Sequence, residues 1–506
     1  SQPFCDGKEK ANLKEARYLK LKGIEIYPVN QAKWVLKNHG LSTKKAIHPN
    51  QIKYHKAKIK VLFENETCTF KGKVKLHGTS PQHRSFDKSL SKISSFKSSL
   101  RVKLEDGHIN NQTNFILFLP GSRNHESELF VSNFFRAFGF LSPETFRIKL
   151  KLLQNNYDVI FQEKFSESSL LKNLKNPGPI ISFNKQPLAK IKIKLEERRA
   201  YKFARIEDFG TFDFSRNNLD NLFLHPLTKM NLINIHDRSN YPDKPYLNID
   251  CYYFYTDIDG CEINSKFEAL MIALDAIHGL TIEDRRFYYN AMYDRFEPIY
   301  YNGNSSILDP DNQLTHSEFT DEQILGAKLL LQDFNYITEK KAKIIFQNLD
   351  LNSANKIKLL NKIKSNLEII SRSKPIKKNN FDKKYFSNLK ENFGKMNFQL
   401  IVGNSLNNLS SCDFDFKKCE KLKIGLNKFK KIIKNQISNY KDKNVVFLSN
   451  NQKKFFGNEN FNNSFLNLPF YDDDKIKFFY SNGIEFSVKK NQIDFIQNKK
   501  SGKVVF

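Results

Sequence analysis

Alternating apolar and polar residues mark the segment KAKIKVLFENETCTFKGKVKLHG, in the first quarter of the chain. Ile59, Val61 and Phe63 occupy every second position, and Val74 and Leu76 do the same after a short polar stretch. A period of two places such side chains on one face of a strand. The pattern predicts a β-hairpin with one buried face.

A second alternating segment, KSSLRVKL, lies about twenty residues further along the chain. Its apolar residues Leu100, Val102 and Leu104 share one face, which leaves Arg101 and Lys103 together on the opposite face. The segment therefore predicts a strand that carries two neighbouring cations. Three more apolar runs predict strands, the last two paired about an Asn-rich turn, and they cover residues 115–119, 146–150 and 159–164.

The most strongly apolar helical pattern comes next to an aromatic hairpin in the middle of the chain. Phe267, Leu270 and Leu274 recur at the spacing of one helical face, and Gly279 stands where a helix is expected to stop. The helix is predicted to deliver His278 to a loop. The segments RFYY and FEPIYY then read as two strands joined by the turn NAMYD.

The part of the chain beyond residue 310 changes to helical patterns. Thr320 and Gln323 form a capping box, a second helix is predicted from Thr338, and residues 349–370 continue the helical period. The last segments with a clear pattern, GIEFSV and IDFI, predict a further β-hairpin. The expected fold class is therefore α+β.

These patterns divide the chain into four parts. We expect a polar, helix-prone N-terminal arm with the only tryptophan, a mixed α+β domain, a helical extension and a basic Lys/Asn/Phe-rich region ending in a β-hairpin. The chain stops abruptly after that hairpin, so we expect a further β domain beyond its last residue. The predicted boundaries are residues 1–55, 56–310, 311–400 and 401–506.

Composition favours anionic over cationic partners. Lys and Arg number 82 against 54 for Asp and Glu, which gives a formal charge of +28. The Lys/Asn/Ile/Phe bias also fits an AT-rich coding sequence, and a solvated basic surface remains the simpler interpretation. A Lys/Phe mixture is able to stack on and neutralise single-stranded nucleic acid. No RNP-type, KH or helix-turn-helix signature accompanies it, so nucleic acid is the least favoured partner.

Cysteine spacing and hydropathy narrow the remaining classes. The six cysteines form no C-x-x-C pair, so the ligand spacing of a zinc site is missing. Cys251 and Cys261 flank a Tyr-rich segment and are close enough in sequence to bridge, although we expect free thiols in so long a chain with so few cysteines. No run of about 18 apolar residues predicts a membrane span, and the N-terminal residues lack a signal-like apolar core.

The order of these elements resembles the CotH family of spore-coat-type protein kinases. Members run a helix into an acidic loop, a strand N-F-Y-L-Y and a hairpin into P-I-P-W-D, and the matching segments here are RFYY and PIYYNG. The segment KSSLRVKL is similar to the family strand K-S-Y-R-I-K-L. A G-x-S turn precedes it, and a later strand ends in E-K. The resemblance covers residues 56–310.

The resemblance implies a fold with kinase-like mixed or antiparallel sheets and packed helices, with ATP and Mg²⁺ as cofactors. It assigns Ser80, Arg101 and Lys103 to the nucleotide phosphates. Glu163 would be the carboxylate that pairs with and positions the phosphate-binding cation, as in protein kinases. We therefore expect Glu163 within ion-pair distance of Arg101 or Lys103.

The resemblance also places a catalytic base in the loop after the helix and a metal ligand at the end of P-I-P-W-D. The base position falls near His278 and Asp284, which we take as the catalytic pair. The metal position holds Asn302, so the expected metal ligands are Asn302 and Asp284. An amide oxygen is a poorer ligand for Mg²⁺ than a carboxylate.

Three functions follow from these observations. The first is an ATP- and Mg²⁺-dependent kinase that phosphorylates Ser or Thr of a surface or envelope protein, in the extracytoplasmic location that the resemblance implies. The second is a catalytically impaired relative, a pseudokinase that binds a nucleotide or a protein. The third is a basic nucleic-acid-binding or structural protein. A sheet edge that carries Arg101, Lys103 and Glu163 opposite residues 278–304 distinguishes the first two from the third.

Overall fold

The computed structural model describes most of the first 376 residues and, beyond them, only strands. The described residues are 21–42, 47, 51–64, 67–78, 81–85, 97–110, 112–183, 204–208, 246–251, 257–314 and 316–376, five single positions between 226 and 237, and eight strands between 398 and 496. Ser80, which the resemblance assigns to the nucleotide phosphates, lies outside the described residues.

Seven of the first nine strands form a closed β-barrel in the order β1-β2-β3-β6-β7-β9-β8. All neighbours are antiparallel except β1 and β8, which are parallel. The strands β4 and β5 form a separate two-stranded ribbon. The nine strands are β1 (Leu21–Pro28), β2 (His55–Phe63), β3 (Thr67–Leu76), β4 (Arg84–Ser85), β5 (Lys97–Ser98), β6 (Leu100–Leu104), β7 (Asn114–Phe118), β8 (Thr145–Leu152) and β9 (Asn155–Glu163).

The interior of the barrel is built from the alternating apolar positions that the sequence predicts. Val61, Val74 and Val102 are completely buried within one hydrophobic cluster. The first helix, α1 (Gln31–Ser42), contributes Trp34 to the same cluster. The predicted hairpin of β2 and β3 is confirmed, and the strands around Val102 and Ile160 belong to the same closed sheet.

The prediction of a helical arm before residue 56 is wrong for Leu21–Pro28. This segment is β1, which pairs with β2 on one side and β8 on the other and so closes the barrel. Ile24 and Ile26 face the barrel core. The alternation of this strand is interrupted by an irregularity between Leu21 and Gly23, so its sequence carries little signal without the two partner strands.

A second sheet and a group of helices follow the barrel. The strand order of this sheet is β11-β10-β12-β13, and the predicted aromatic hairpin is confirmed as β12 and β13. The strands are β10 (Ile180–Phe183), β11 (Ala204–Asp208), β12 (Arg286–Asn290) and β13 (Arg295–Ile299). The helices are α2 (Glu126–Ala137), α3 (Glu167–Lys172), α4 (Ile258–Ala273), α5 (Asp321–Phe334), α6 (Glu339–Ile345) and α7 (Ser353–Arg372).

One hydrophobic core is shared by α2, α4, α5, α6 and α7. Within it α4 packs against α5 and α7, and α6 packs against α2. The predicted capping box of Thr320 and Gln323 starts α5, and Thr338 caps α6 as expected. Helix α4 ends at Ala273, earlier than the apolar period predicts. Leu274 and Ala276 remain buried in the same core although the chain there is no longer α-helical.

Beyond α7, eight strands form two four-stranded sheets, in the orders β16-β15-β14-β17 and β18-β19-β20-β21. The predicted C-terminal hairpin is confirmed by the antiparallel pair β20 and β21. The chain is therefore an α+β protein. The strands are β14 (Phe398–Gly403), β15 (Leu409–Cys412), β16 (Cys419–Leu422), β17 (Asn444–Leu448), β18 (Phe470–Asp472), β19 (Lys475–Phe479), β20 (Glu485–Lys489) and β21 (Gln492–Ile496).

A disulfide joins Cys251 to Cys261 in the first turn of α4, with their Cα atoms 5.0 Å apart. Cys68 on β3 is also disulfide-bonded. The expectation of free thiols is therefore wrong for these three residues. The spacing of cysteines along the chain does not show which of them the fold brings within bonding distance. None of the described helices is long and apolar enough to cross a membrane.

Candidate functional site

Two loops meet beside the second sheet, one before β12 and one after β13. A Cβ atom added to Gly279 would lie 2.7 Å from the carbonyl oxygen of Tyr301, and one added to Gly303 would lie 2.7 Å from the Cβ of Ala276. Such distances leave no room for a side chain, so the two backbones are in direct contact. The turn that carries His278 and the loop that carries Asn302 therefore form one surface, as the sequence predicts.

His278 and Asp284 form the central pair of this surface. The Nε2 atom of His278 lies 3.2 Å from an Oδ atom of Asp284. The carboxylate side chain is only 6% exposed, whereas the imidazole is 49% exposed. The backbone amide of Asp284 also donates to the carbonyl of Thr281, which fixes the turn. The geometry holds a carboxylate in place and leaves it beside an open imidazole, as a general base requires.

A buried arginine lies beside this pair. The guanidinium of Arg286 donates to Glu207 at 2.6 Å and lies 3.5 Å from the ring centre of Tyr301. Burial alone would lower the pKa of Arg286, but Glu207, Tyr301 and Asp284 raise it above its ordinary value. Arg286 is therefore a permanent cation near Asp284. Neither Arg286 nor Glu207 was predicted as a site residue, although the double arginine directly after Asp284 was an available signal.

The end of the barrel reaches the same loops through the turn that precedes α2. Arg123, only 4% exposed, has its guanidinium 4.2 Å from the ring centre of Phe118 and 5.6 Å from that of Tyr301. The side-chain amide of the next residue, Asn124, donates to the backbone carbonyl of Asn304 at 3.0 Å. The barrel and the loop after β13 are therefore joined directly at this point.

Two histidines, His77 and His83, lie beside Phe118, the ring that contacts Arg123. His83 is buried, and its ring centre lies 5.4 Å from that of His77. Burial lowers the pKa of His83 to about 4, and the positive charges of Arg123 and Arg84 contribute in the same direction. His83 is therefore neutral at neutral pH. It adds hydrogen-bonding capacity to the barrel end without adding charge.

Glu163 does not form the predicted ion pair with Arg101 or Lys103. Its carboxylate instead accepts from Lys172 of α3 at 3.1 Å, and Lys172 also binds Glu144 at 2.9 Å. Burial raises the pKa of Glu163 and the charge of Lys172 opposes that shift. The predicted pairing is therefore wrong, and the partner comes from a short helix that the resemblance did not single out.

The register of the barrel explains why Glu163 does not reach Arg101 or Lys103. Side chains opposite one another on neighbouring strands share a face of the sheet. Glu163 is in register with Phe115 and, through it, with Val102, whose side chains point into the barrel. Arg101 is in register with Ile116 and belongs to the other face. The predicted partners therefore lie on β6 and β9, with β7 between them, and on opposite faces of the sheet.

Arg101 and Lys103 do share one face of β6, as predicted, but that face is the outer wall of the barrel. Lys103 lies opposite Lys73, and Arg101 lies opposite Lys75. Burial, followed by the charges of Arg101 and Lys164, lowers the pKa of Lys75 to about 8. Within the described part of the chain, no hydrogen bond or ion pair joins Arg101 or Lys103 to residues 278–304. The sheet edge that was expected to distinguish a kinase or pseudokinase from a basic structural protein is therefore not formed by these residues.

The described residues do not fit the Mg²⁺ site that the resemblance implies. Asn302 lies in the loop beside His278 with a left-handed backbone (φ 52°), but its amide is neutral. Asp284 is already bonded to His278. In the described ranges, no group of three or more His, Cys, Asp or Glu side chains is arranged to hold a metal ion. No chemical step is therefore assigned to a metal below.

Comparison of the sequence with protein-family models finds no match, and comparison with curated proteins finds none either.

Proposed function

We propose that this chain is a kinase-like phosphotransferase that moves the γ-phosphate of ATP to a serine or threonine of a surface or envelope protein. The observation that carries the proposal is the His278–Asp284 pair, a buried carboxylate held 3.2 Å from a half-exposed imidazole. Arg286 supplies a fixed positive charge beside it. The resemblance of residues 56–310 to CotH-type kinases supports the same assignment and adds the nucleotide.

The proposed reaction uses Asp284 as the general base. The acceptor hydroxyl gives its proton to the carboxylate of Asp284 while its oxygen forms a bond to the γ-phosphorus. The bond from that phosphorus to the bridging oxygen breaks, and ADP leaves with the electron pair. His278 orients the carboxylate, and Arg286 counters negative charge that develops on the transferred group.

The disulfides bear on where this reaction takes place. Cys251–Cys261 and the bonded Cys68 are stable in oxidising compartments and are rare in the cytosol. An extracytoplasmic location, as for a protein that acts on an envelope substrate, agrees with these bonds.

Transfer of labelled γ-phosphate from ATP tests the proposal. The purified chain is incubated with labelled ATP and Mg²⁺, and label is sought on serine or threonine of the chain and of a generic protein acceptor. In parallel, ATP should raise the melting temperature, since it binds only the folded state. The absence of both label and a thermal shift at millimolar ATP would contradict the proposal. A shift without label favours binding without transfer.

Binding without transfer is the second candidate, and Asn302 is the observation that favours it. The metal position of the resemblance holds this neutral side chain in a backbone conformation that Asp tolerates as well as Asn. We expect Asn302→Asp to tighten Mg²⁺-dependent ATP binding about tenfold, the effect of one charged contact, and to raise autophosphorylation.

Asn304→Asp is the matched control for this variant. Asn304 lies in the same loop with a φ of 51°, so Asp at this position adds the same charge in the same backbone conformation. We expect it to leave ATP affinity within about twofold of the parent, less than the effect of one exposed charge pair. Calorimetric titration with ATP, with and without Mg²⁺, gives both affinities. Equal affinities for the two variants would show that Asn302 does not stand at a metal position.

A further inference from the structure

Arg123 is a buried cation for which the described chain provides no acceptor. The side chain is 4% exposed, its Nε atom is buried without a hydrogen-bond partner, and no hydrogen bond or ion pair joins its guanidinium to any described residue. Its close neighbours are the rings of Phe118 and Tyr301. A guanidinium presents five donors and stays charged at any physiological pH.

The other deeply buried arginines of this region are paired. Arg285 lies 2.9 Å from the carboxylate of Glu268, and Arg286 lies 2.6 Å from that of Glu207. Among the described residues Arg123 has only cation–π contacts, which offset a small part of the free energy lost when a charge is removed from water. Burial of this cation without a partner is therefore unfavourable unless an anion binds there.

The groups around Arg123 leave an excess of positive charge. His83 and Arg84 are the titrating or charged neighbours on the barrel side, and neither is negative at neutral pH. On α2, the two carboxylate oxygens of Glu128 accept from the side-chain amide of Gln162 at 2.8 Å and from the hydroxyl of Tyr300 at 2.9 Å. Among the described residues, no carboxylate accepts a hydrogen bond from Arg123 or lies within ion-pair distance of it.

We infer that Arg123 anchors a subsite for a phosphate group, at the point where the barrel end meets the loop after β13. A phosphate oxygen pair matches the fork of a guanidinium and would take up the donors that the chain leaves open. Tyr301 connects this subsite to Arg286, because its ring centre lies 5.6 Å from the guanidinium of Arg123 and 3.5 Å from that of Arg286. The identity of the full ligand, a nucleotide, rests on the proposed function, whereas phosphate binding at Arg123 does not.

Thermal-shift titration with inorganic phosphate tests the subsite without requiring catalysis. The full chain is titrated with phosphate against chloride at equal ionic strength, with pyrophosphate, AMP and ATP as further arms. We expect phosphate to raise the melting temperature of the parent and Arg123→Met to weaken the apparent affinity at least tenfold. Without phosphate, Arg123→Met should melt at or above the parent temperature, because an unpaired buried charge has been removed. Arg372→Met, at an 80% exposed position, is the control and should bind phosphate like the parent.

Each outcome decides the inference. If Arg123→Met does not fold, Arg123→Lys, which keeps the charge and loses the fork, should still weaken phosphate binding at least threefold. Equal phosphate stabilisation of the parent and the folded Arg123 variant would overturn the subsite, and so would no stabilisation of the parent. Phosphate binding through Arg123 together with no transfer of label from ATP would retain the subsite and reject the phosphotransferase.

Discussion

Asp284→Asn is expected to lower phosphoryl transfer by about 10²- to 10⁴-fold, the usual contribution of a general base. Asn has the same shape and its amide still reaches His278, so the turn is preserved while the proton acceptor is lost. The nucleotide affinity should therefore change far less than the rate. Single-turnover transfer of labelled phosphate, together with the melting temperature, separates loss of the base from loss of structure.

The matched control is Asp259→Asn on the exposed surface of α4. It removes the same charge from the same part of the chain and should leave transfer within about twofold, in line with the small effects of surface substitutions. Equal rates for Asp284→Asn and the parent would show that Asp284 accepts no proton in the reaction. Equal losses in the two variants would point to a general effect of charge.

Glu268→Gln is expected to destabilise the protein by about 3 to 5 kcal/mol, the cost of breaking a buried ion pair from one side. Glu268 and Arg285 are each 1% exposed and lie 2.9 Å apart. Gln323 donates to the second carboxylate oxygen at 3.2 Å, which ties α4 to α5. Loss of the carboxylate leaves the guanidinium of Arg285 buried beside a neutral amide.

The same substitution should also reduce activity, because Arg285 follows Asp284 directly and anchors the turn that presents it. Denaturant unfolding measures the stability. Glu262→Gln on the same helix, partly exposed, is the control and should change the stability by less than about 0.5 kcal/mol. Adding Arg285→Met to Glu268→Gln should recover part of the loss, since the unpaired charge is then removed. A loss below about 1 kcal/mol for Glu268→Gln would contradict a structural role for the pair.

Local patterns predicted most of the barrel and the helices. The alternation that ends in Leu76 and the segment around Val102 became β3 and β6, and the capping box at Thr320 begins α5. The strand Leu21–Pro28 was not predicted, because a barrel closes between strands far apart in sequence. The early end of α4 was missed for a similar reason: Leu274 is buried in the core whether or not it is helical.

The site was predicted in part. The resemblance placed the catalytic base near His278 and Asp284, and because the two are six residues apart, a short turn is enough to bring them together. The partner of Glu163 was not predicted. Val159, Ile160 and Phe161 are apolar at successive positions, so the sequence of this strand does not show which face Glu163 occupies. No sequence pattern marked Arg123. Its proposed role depends on the lack of an acceptor among the described residues, and contacts such as the one with Tyr301 form only on folding.

Local sequence was enough to predict the local elements: the period of two in the strands, the helical faces, the caps, and a turn between His278 and Asp284. Long-range packing pairs Glu163 with Lys172, places Arg101 and Lys103 on the outer wall of the barrel, and brings Arg123 to Tyr301. The two groups differ in the range of the interactions that form them. Periodicity and capping act within a few residues, whereas register, barrel closure and the pairing of buried charges depend on residues that folding brings together from distant segments.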